Sequence, residues 1–201
     1  MIRDDPSSLG LATKRDLRRL VSARIAAMSV ADRGRADSAI QGRLCELGRS
    51  SAVEFVIGYL AMADEVRVDG FLCDAITRGL PVYLPSAEAG ALSFLRWRPS
   101  WRLRRDGEGV LAPCADTSSP PSSGGMVIVP GRAFDAEGGR VGRGRGYYDR
   151  TLGELAPGHL LVGVGYECQC LPRVPRESWD RPVHRVVTEA RLYVALPPRE
   201  N

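Results

Sequence analysis

The stretch VIVPGRAFDAEGGRVGRGRGYYDR, residues 127–150, passes from a β-branched apolar run through a glycine-dense segment into YYDR. With Met126 in front, MVIVP reads as a buried strand, and a helix is expected to begin near Tyr147. Between them Gly142, Gly144 and Gly146 alternate with Arg143 and Arg145. Glycines let successive backbone N–H groups converge on an anion, and the start of the following helix adds partial positive charge. Arg140, Arg143 and Arg145 supply guanidinium forks that suit phosphate oxygens. Asp149 is placed to hold a hard divalent cation that bridges phosphates. A polyphosphate site on a strand–loop–helix unit is the outline. It is not a P-loop, because no lysine followed by Ser or Thr comes after the last glycine. Nor is it the dinucleotide fingerprint, which needs Gly or Ala where Tyr147 stands. A bare glycine–arginine stretch also reads as a flexible basic loop or an RNA contact. The flanking strand and the abrupt YYDR favour an ordered site.

Working outward, Thr13 and Asp16 form a capping-box pattern before a helix with Leu17, Leu20, Val21, Ile25 and Met28 at helical spacing. Ser29 and Asp32 repeat it before a second helix with Ile40, Leu44 and Leu47 on its apolar side. VEFVIGYL (53–60) reads as a buried strand, VDGFLCDAITRGL as a helix stopped by Gly79, and PVYLP and LSFLRW as strands. APCADTSSPPSSGG (112–125) reads as loop. HLLVGVGY is a further strand, and VHRVVTE with RLYVAL closes the sheet. Strands alternating with helices, apolar on both faces, predict an α/β fold with a mostly parallel sheet. No repeat is visible, and the 112–125 loop lies between strands of one sheet, so one domain over 1–201 is expected.

The chain has 201 residues, 28 basic and 24 acidic, for a net charge of +4. Of the basic residues 27 are arginine, and Lys14 is the one lysine. The balance is that of an ordinary globular protein and is mild for a nucleic-acid binder. Apolar runs such as MVIV and LLVGVG are too short to cross a bilayer, and MIRDDPSSLG is too acidic and polar for a secretory signal. Cys45, Cys73, Cys114, Cys168 and Cys170 are odd in number and show no C-x-x-C pair. Reduced, structural thiols in a soluble cytoplasmic protein are the expectation.

The block PGRAFDAEGGRVGRGRGYYDR resembles the signature of the 5-formyltetrahydrofolate cyclo-ligases, also called methenyltetrahydrofolate synthetases. Their pattern runs Pro-Gly-x-x-Phe-Asp, a short turn, then Arg-Leu-Gly-x-Gly-x-Gly-Tyr-Tyr-Asp. The family's opening Lys-x-x-x-Arg is matched by Lys14 and Arg18, and its Glu-containing turn by YLAMADEV with Leu60 and Glu65. Its C-terminal elements are matched in order by Tyr166 to Gln169, Glu177 to Asp180, and Val187 to Glu189. The similarity spans residues 14 to about 190. The one lysine among 28 basic positions falls at the family's phosphate-binding lysine.

The resemblance implies a three-layer αβα domain with a Rossmann-like sheet, as in sugar-phosphate isomerases and coenzyme A transferases. It implies ATP- and Mg2+-dependent cyclisation of 5-formyltetrahydrofolate to the 5,10-methenyl form by a monomer. Lys14, Arg18, Arg140, Val141, Gly142, Arg143, Gly144, Arg145, Gly146, Tyr147 and Tyr148 would then contact ATP. Leu60 and Glu65, with Arg143 through Tyr147, would hold the folate. Arg143, Arg145 and Tyr147 would be catalytic, and Asp149 and Asp180 would ligate magnesium. Taken singly, several of these have plainer roles. Glu65 is a helix-start charge, Asp180 a turn residue, Tyr147 and Tyr148 packing, and Lys14 and Arg18 solvated.

Three positions depart from the family pattern. His184 stands where a second aspartate is common, Ala112 where Glu precedes proline, and Arg145 where Gly or Lys is frequent. A drifted relative on the same scaffold is therefore an alternative. So is nucleic-acid binding, through RWRPSWRLRR (96–105) with its arginines, Trp97 and Trp101.

Overall fold

A computed structural model describes residues 13–88, 91–114, 119–155 and 158–195; MIRDDPSSLG and part of the 112–125 segment lie outside them. Both expected N-caps are present. The Thr13 hydroxyl accepts from the Asp16 N–H while the Asp16 carboxylate reaches back to the Thr13 N–H, starting α1 (Lys14–Ala27). Ser29 caps α2 (Val30–Ser50) in the same way, accepting from the Asp32 N–H at 3.0 Å. These bonds satisfy helix N–H groups that have no intrahelical acceptor. After β1 (Phe55–Ile57) comes α3 (Asp69–Thr77). It ends at Gly79, whose φ of +85° closes the helix where a Cβ would be strained.

The chain continues through β2 (Val82–Glu88), β3 (Ala91–Trp97), β4 (Leu103–Arg105), β5 (Leu111–Pro113), β6 (Gly125–Pro130), β7 (Ala133–Phe134) and β8 (Arg140–Val141). Then follow α4 (Tyr147–Leu155), β9 (Leu160–Val164), a 3-10 turn at Glu167–Gln169, β10 (Arg185–Val187) and β11 (Leu192–Val194). Seven strands form the main sheet in the order β11-β10-β9-β6-β1-β2-β3. The five inner strands pair in parallel, and β3 and β11 run antiparallel at the edges. The fold is α/β with a mostly parallel sheet, as the alternation of elements predicts.

Alternate residues of each strand serve opposite faces. Val56, Leu84, Met126, Ile128 and Val162 pack under Leu17 and Val21 of α1, Ile40 and Leu44 of α2, and Phe71 of α3. Phe55, Ile57, Val127, Val129 and Leu161 face the other way, toward Leu152 of α4 and Phe134. Residues one apart point to opposite faces, so a strand buried on both sides reads as a continuous apolar run. Among the described residues the layering is lopsided, with α1, α2 and α3 on one face and α4 on the other.

Two short ribbons take in segments that read as loop from the sequence. Ala112 and Pro113 belong to β5, which pairs with β4, and Gly125 already belongs to β6. Three-residue strands carry too little alternation to separate from a proline-rich loop. Likewise β7 and β8 pair inside the glycine-dense segment, with Ala133 opposite Val141 and Phe134 opposite Arg140. Gly138, at φ +78°, makes the tight turn between them. Trp97 is 6% exposed and packed in the core, which withdraws it from any base-stacking face of the 96–105 segment. All five cysteines are free; Cys73 and Cys114 are exposed, while burial raises the Cys168 thiol and pushes Cys170 up to about 12, as inert thiols require. No helix among the described residues is long and apolar enough to cross a membrane.

Candidate active site

The chain leaves β1 toward β2 on one side, while β6 lies on the other side of β1. Strand order therefore reverses between β1 and β6, and loops leaving their carboxyl ends must separate and open a crevice. A cleft of about 240 Å³ lies there. Its walls are the segment after β1 with Tyr59, Leu60, Met62 and Glu65, and the segment after β6 from Pro130 to Asp149. The β4–β5 hairpin closes a third side with Asp106, Glu108 and Val110.

Most of the expected site residues line this cleft: Leu60, Glu65, Arg140, Gly142, Arg143, Gly144, Arg145, Gly146, Tyr147, Tyr148 and Asp149. Val141 is fully buried in β8 beneath them. Lys14 and Arg18 do not line it but brace it. Arg18 donates from Nε to the Gly142 carbonyl at 2.8 Å, so α1 holds the glycine loop from outside the cleft. Lys14 Nζ meets Asp180 Oδ2 at 2.5 Å. The same Asp180 oxygen accepts the Glu177 N–H at 2.7 Å.

The loop's glycines are needed for two reasons. Gly144 and Gly146 have φ of +100° and +69°. A Cβ on Gly142 would fall 2.8 Å from Nη1 of Arg140. Arg140 has little room to yield, since its side chain is 4% exposed, it donates to the Pro130 carbonyl at 3.2 Å, and it is paired with Asp149.

Apart from Arg18, which bonds the Gly142 carbonyl, each candidate cation has a carboxylate partner. Arg143 donates to Glu65 Oε1 at 3.0 Å and also to Asp64. Arg145 pairs with Glu108, which also accepts from the Tyr147 hydroxyl at 2.8 Å. Burial works to raise the Asp64 carboxyl, but the Arg143 hydrogen bond and the Arg132 charge outweigh it and hold the group below its ordinary value. Burial opposes the Arg143 charge, and Glu65 and Asp64 more than restore it. Asp64 and Arg143 therefore stay ionised as a pair. Tyr148 differs. Its hydroxyl is buried at the cleft with no partner, and burial followed by the Glu65 charge raises its pKa well above the ordinary value. An orphaned donor at a cleft wall costs stability unless a ligand meets it.

Two carboxylates were expected to share a metal. Asp149 lies in the cleft paired with Arg140, and Asp180 is paired with Lys14. Among the described residues no three or more His, Cys, Asp or Glu gather as a cage. A magnesium ion carried on phosphate oxygens needs only one or two carboxylates, and Asp149 fits that donor set. His184 is occupied elsewhere, since its Nδ1 accepts the Leu161 N–H at 3.0 Å and ties β9 to β10. Ala112 is fully buried in β5.

Sequence reasoning passed over Glu108, Asp64 and Arg132. Arg132 bridges Asp64 at 2.5 Å and the Ser22 hydroxyl at 2.5 Å, tying α1 to both walls. Asp64 was visible as the acidic neighbour of Glu65. Glu108 carried no local signal. The Tyr166–Gln169 element proves to be a buttress, where Gln169 Nε2 donates to the Gly131 and Arg132 carbonyls at 2.9 and 3.1 Å.

Residues 11–189 match the model of the 5-formyltetrahydrofolate cyclo-ligase family. The Escherichia coli K12 protein named 5-formyltetrahydrofolate cyclo-ligase is 36% identical over 121 residues, covering 57% of this chain and 66% of that protein. The Mus musculus protein of the same name is 25% identical over 198 residues, covering 89% and 94%. The solved structure of Aquifex aeolicus 5,10-methenyltetrahydrofolate synthetase superposes with a TM-score of 0.80 at 30% identity, covering 94% of this chain and 95% of that one. With the family model spanning most of its length, the chain belongs to the 5-formyltetrahydrofolate cyclo-ligase family.

Proposed function

We propose that this chain cyclises 5-formyltetrahydrofolate to 5,10-methenyltetrahydrofolate with ATP, releasing ADP and phosphate. The observation that carries the reading is the composition of the cleft. The Gly142–Gly146 loop, its arginines and the start of α4 form one wall, and Leu60 and Glu65 form the opposite one. A polyphosphate fits the first wall. A flat ring bearing N–H donors fits the second, where the Glu65 carboxylate accepts them.

In the proposed reaction the formyl oxygen attacks the γ-phosphorus and ADP departs. N10 then adds to the activated formyl carbon and gives up its proton to water, and the C–O bond breaks to release phosphate. A formyl amide is a poor electrophile, and phosphorylation turns its oxygen into a leaving group. The chain's task is alignment of two reactants and neutralisation of phosphate charge. In this reading Arg143, which reaches Glu65 across the cleft, and Arg145, which reaches Glu108 of the hairpin, share the transferred phosphoryl group, and Tyr147 orients it at the first turn of α4. Lys14, Arg18 and Arg140 through Tyr148 make up the nucleotide side. Leu60 and Glu65, with Arg143 through Tyr147, make up the folate side. Asp149, with Asp180 as the second expected ligand, would hold magnesium, which would supply neutralising charge for the phosphate oxygens. A single domain acting as a cytoplasmic monomer completes the reading, and the free thiols support a reducing compartment.

Purified protein with 5-formyltetrahydrofolate and Mg-ATP is expected to develop the near-ultraviolet absorbance of the methenyl product. Folded protein that gives no signal, beside a working control enzyme, would refute the assignment.

A further inference from the structure

Glu108 belongs to no motif of the sequence, yet its position is built with care. Asp106, 8% exposed, docks the β4–β5 hairpin on β2 by accepting the Ala87 N–H at 2.7 Å through Oδ2. Its Oδ1 accepts the N–H groups of Glu108 and Val110, both at 2.9 Å, and Gly109 turns the tip at φ +76°. The Glu108 backbone is thus held by a buried carboxylate and a tight turn, and its side chain is aimed into the cleft.

There it spans from the hairpin to the glycine–arginine loop, pairing with Arg145 and accepting the Tyr147 hydroxyl. Its side chain is 21% exposed and that of Arg145 is 68% exposed. The carboxylate therefore sits where a phosphate oxygen would meet the same guanidinium. If an arriving phosphate takes Arg145, Glu108 loses its counter-charge and repels the newcomer. If Glu108 keeps Arg145, the phosphate lacks that cation. Either way the carboxylate lowers affinity for anions while fixing Tyr147.

We propose that Glu108 is a specificity-determining and positioning residue of the cleft. It acts as a built-in competitor for Arg145 that an incoming polyphosphate must displace, and as the anchor of Tyr147. This rests on the reading of the loop as a polyphosphate site. A small anion engages too few of the remaining groups to displace the carboxylate, whereas a triphosphate also reaches the loop N–H groups and the half-exposed Arg143. The competitor sets a threshold on what may occupy the loop.

The test is calorimetric titration of the full chain with sodium tripolyphosphate and with Mg-ATP, alongside steady-state kinetics. Glu108→Gln removes the charge but keeps an acceptor for Tyr147. It is expected to bind tripolyphosphate about threefold tighter or more, the scale of a part-exposed ion pair. The gain is expected to vanish in an Arg145→Gln background, and KM for ATP should fall with it. Glu108→Ala should show the same tightening with a lowered kcat, which Gln restores. Unchanged or weaker binding by Glu108→Gln, with wild-type Mg-ATP binding intact, overturns the inference alone. A gain that persists without Arg145 overturns the competitor role. Failure of the wild type and Glu108→Gln to bind either ligand overturns the polyphosphate reading and the inference with it.

Discussion

Replacing Lys14 separates the nucleotide reading from a purely structural one. The ammonium meets Asp180 at 2.5 Å, with side chains 24% and 10% exposed. Exposed ion pairs contribute about 0.2–1 kcal/mol, while orphaning a fully buried charge costs about 3–5 kcal/mol. Asp180 keeps the Glu177 N–H as a partner, so Lys14→Ala should cost about 1–2 kcal/mol of stability, near the lower end of that span. Lys14→Arg keeps the charge and should cost less than about 1 kcal/mol. The kinetic effect should be larger. A charge-assisted hydrogen bond to phosphate is worth about 1.5–3 kcal/mol, which at about 1.4 kcal/mol per decade is roughly a ten- to hundredfold loss of kcat/KM for ATP in Lys14→Ala. Arginine should recover part of it, because a planar fork on a longer stem approaches one phosphate oxygen less closely than an ammonium. Initial rates of methenyl absorbance across ATP concentrations, paired with thermal melts, supply both quantities. Unchanged kinetics in both variants beside a lowered Tm would refute the reasoning and leave Lys14 as a brace for the Glu177–Asp180 turn.

Tyr148→Phe removes a buried hydroxyl that has no partner, so stability should hold or rise by up to about 1 kcal/mol while turnover falls; a destabilised variant with normal kinetics would contradict this. Gly144→Ala should cost about 1–2 kcal/mol by denaturant titration and raise KM for ATP. The backbone there has φ of +100°, and a Cβ would sit 3.3 Å from the Arg18 guanidinium that braces the loop. His159 is 6% exposed and its Nδ1 accepts the Gly125 N–H at 3.1 Å, so burial lowers its pKa below the ordinary 6.5. His184 is lowered too, by burial and then by Arg185. Below about pH 6.5 the unfolded chain therefore takes up protons that the folded chain resists, and stability should be lost as pH is lowered through that window. Melts from about pH 7.5 to about 5.5 should show the loss, reduced in His159→Gln; a flat profile would count against it.

Much of the architecture follows from local rules. The capping box at Thr13, the N-cap at Ser29, the stop at Gly79 and the run MVIVP each act through neighbours within a turn or a strand. The short ribbons escaped for the same reason. Ala112 and Pro113 look like loop because nothing in their immediate sequence names Leu103–Arg105 as a partner. His184, at a position compared with metal-binding aspartates, instead bonds the backbone of a neighbouring strand.

The candidate site divides along the same line. Gly142–Gly146 and their arginines were legible because backbone freedom and helix-start polarity are encoded at consecutive positions. Their charge state was not. Arg143 meets Glu65 from 78 positions away and Lys14 meets Asp180 from 166. Glu108 enters from a hairpin docked by Asp106. The sequence by itself determined a strand–loop–helix unit able to receive an anion. Only the tertiary structure decided that each candidate cation there is already countered. Strand order, set by how the two apolar faces bury, brings the ends of β1 and β6 together and makes partners of distant charges.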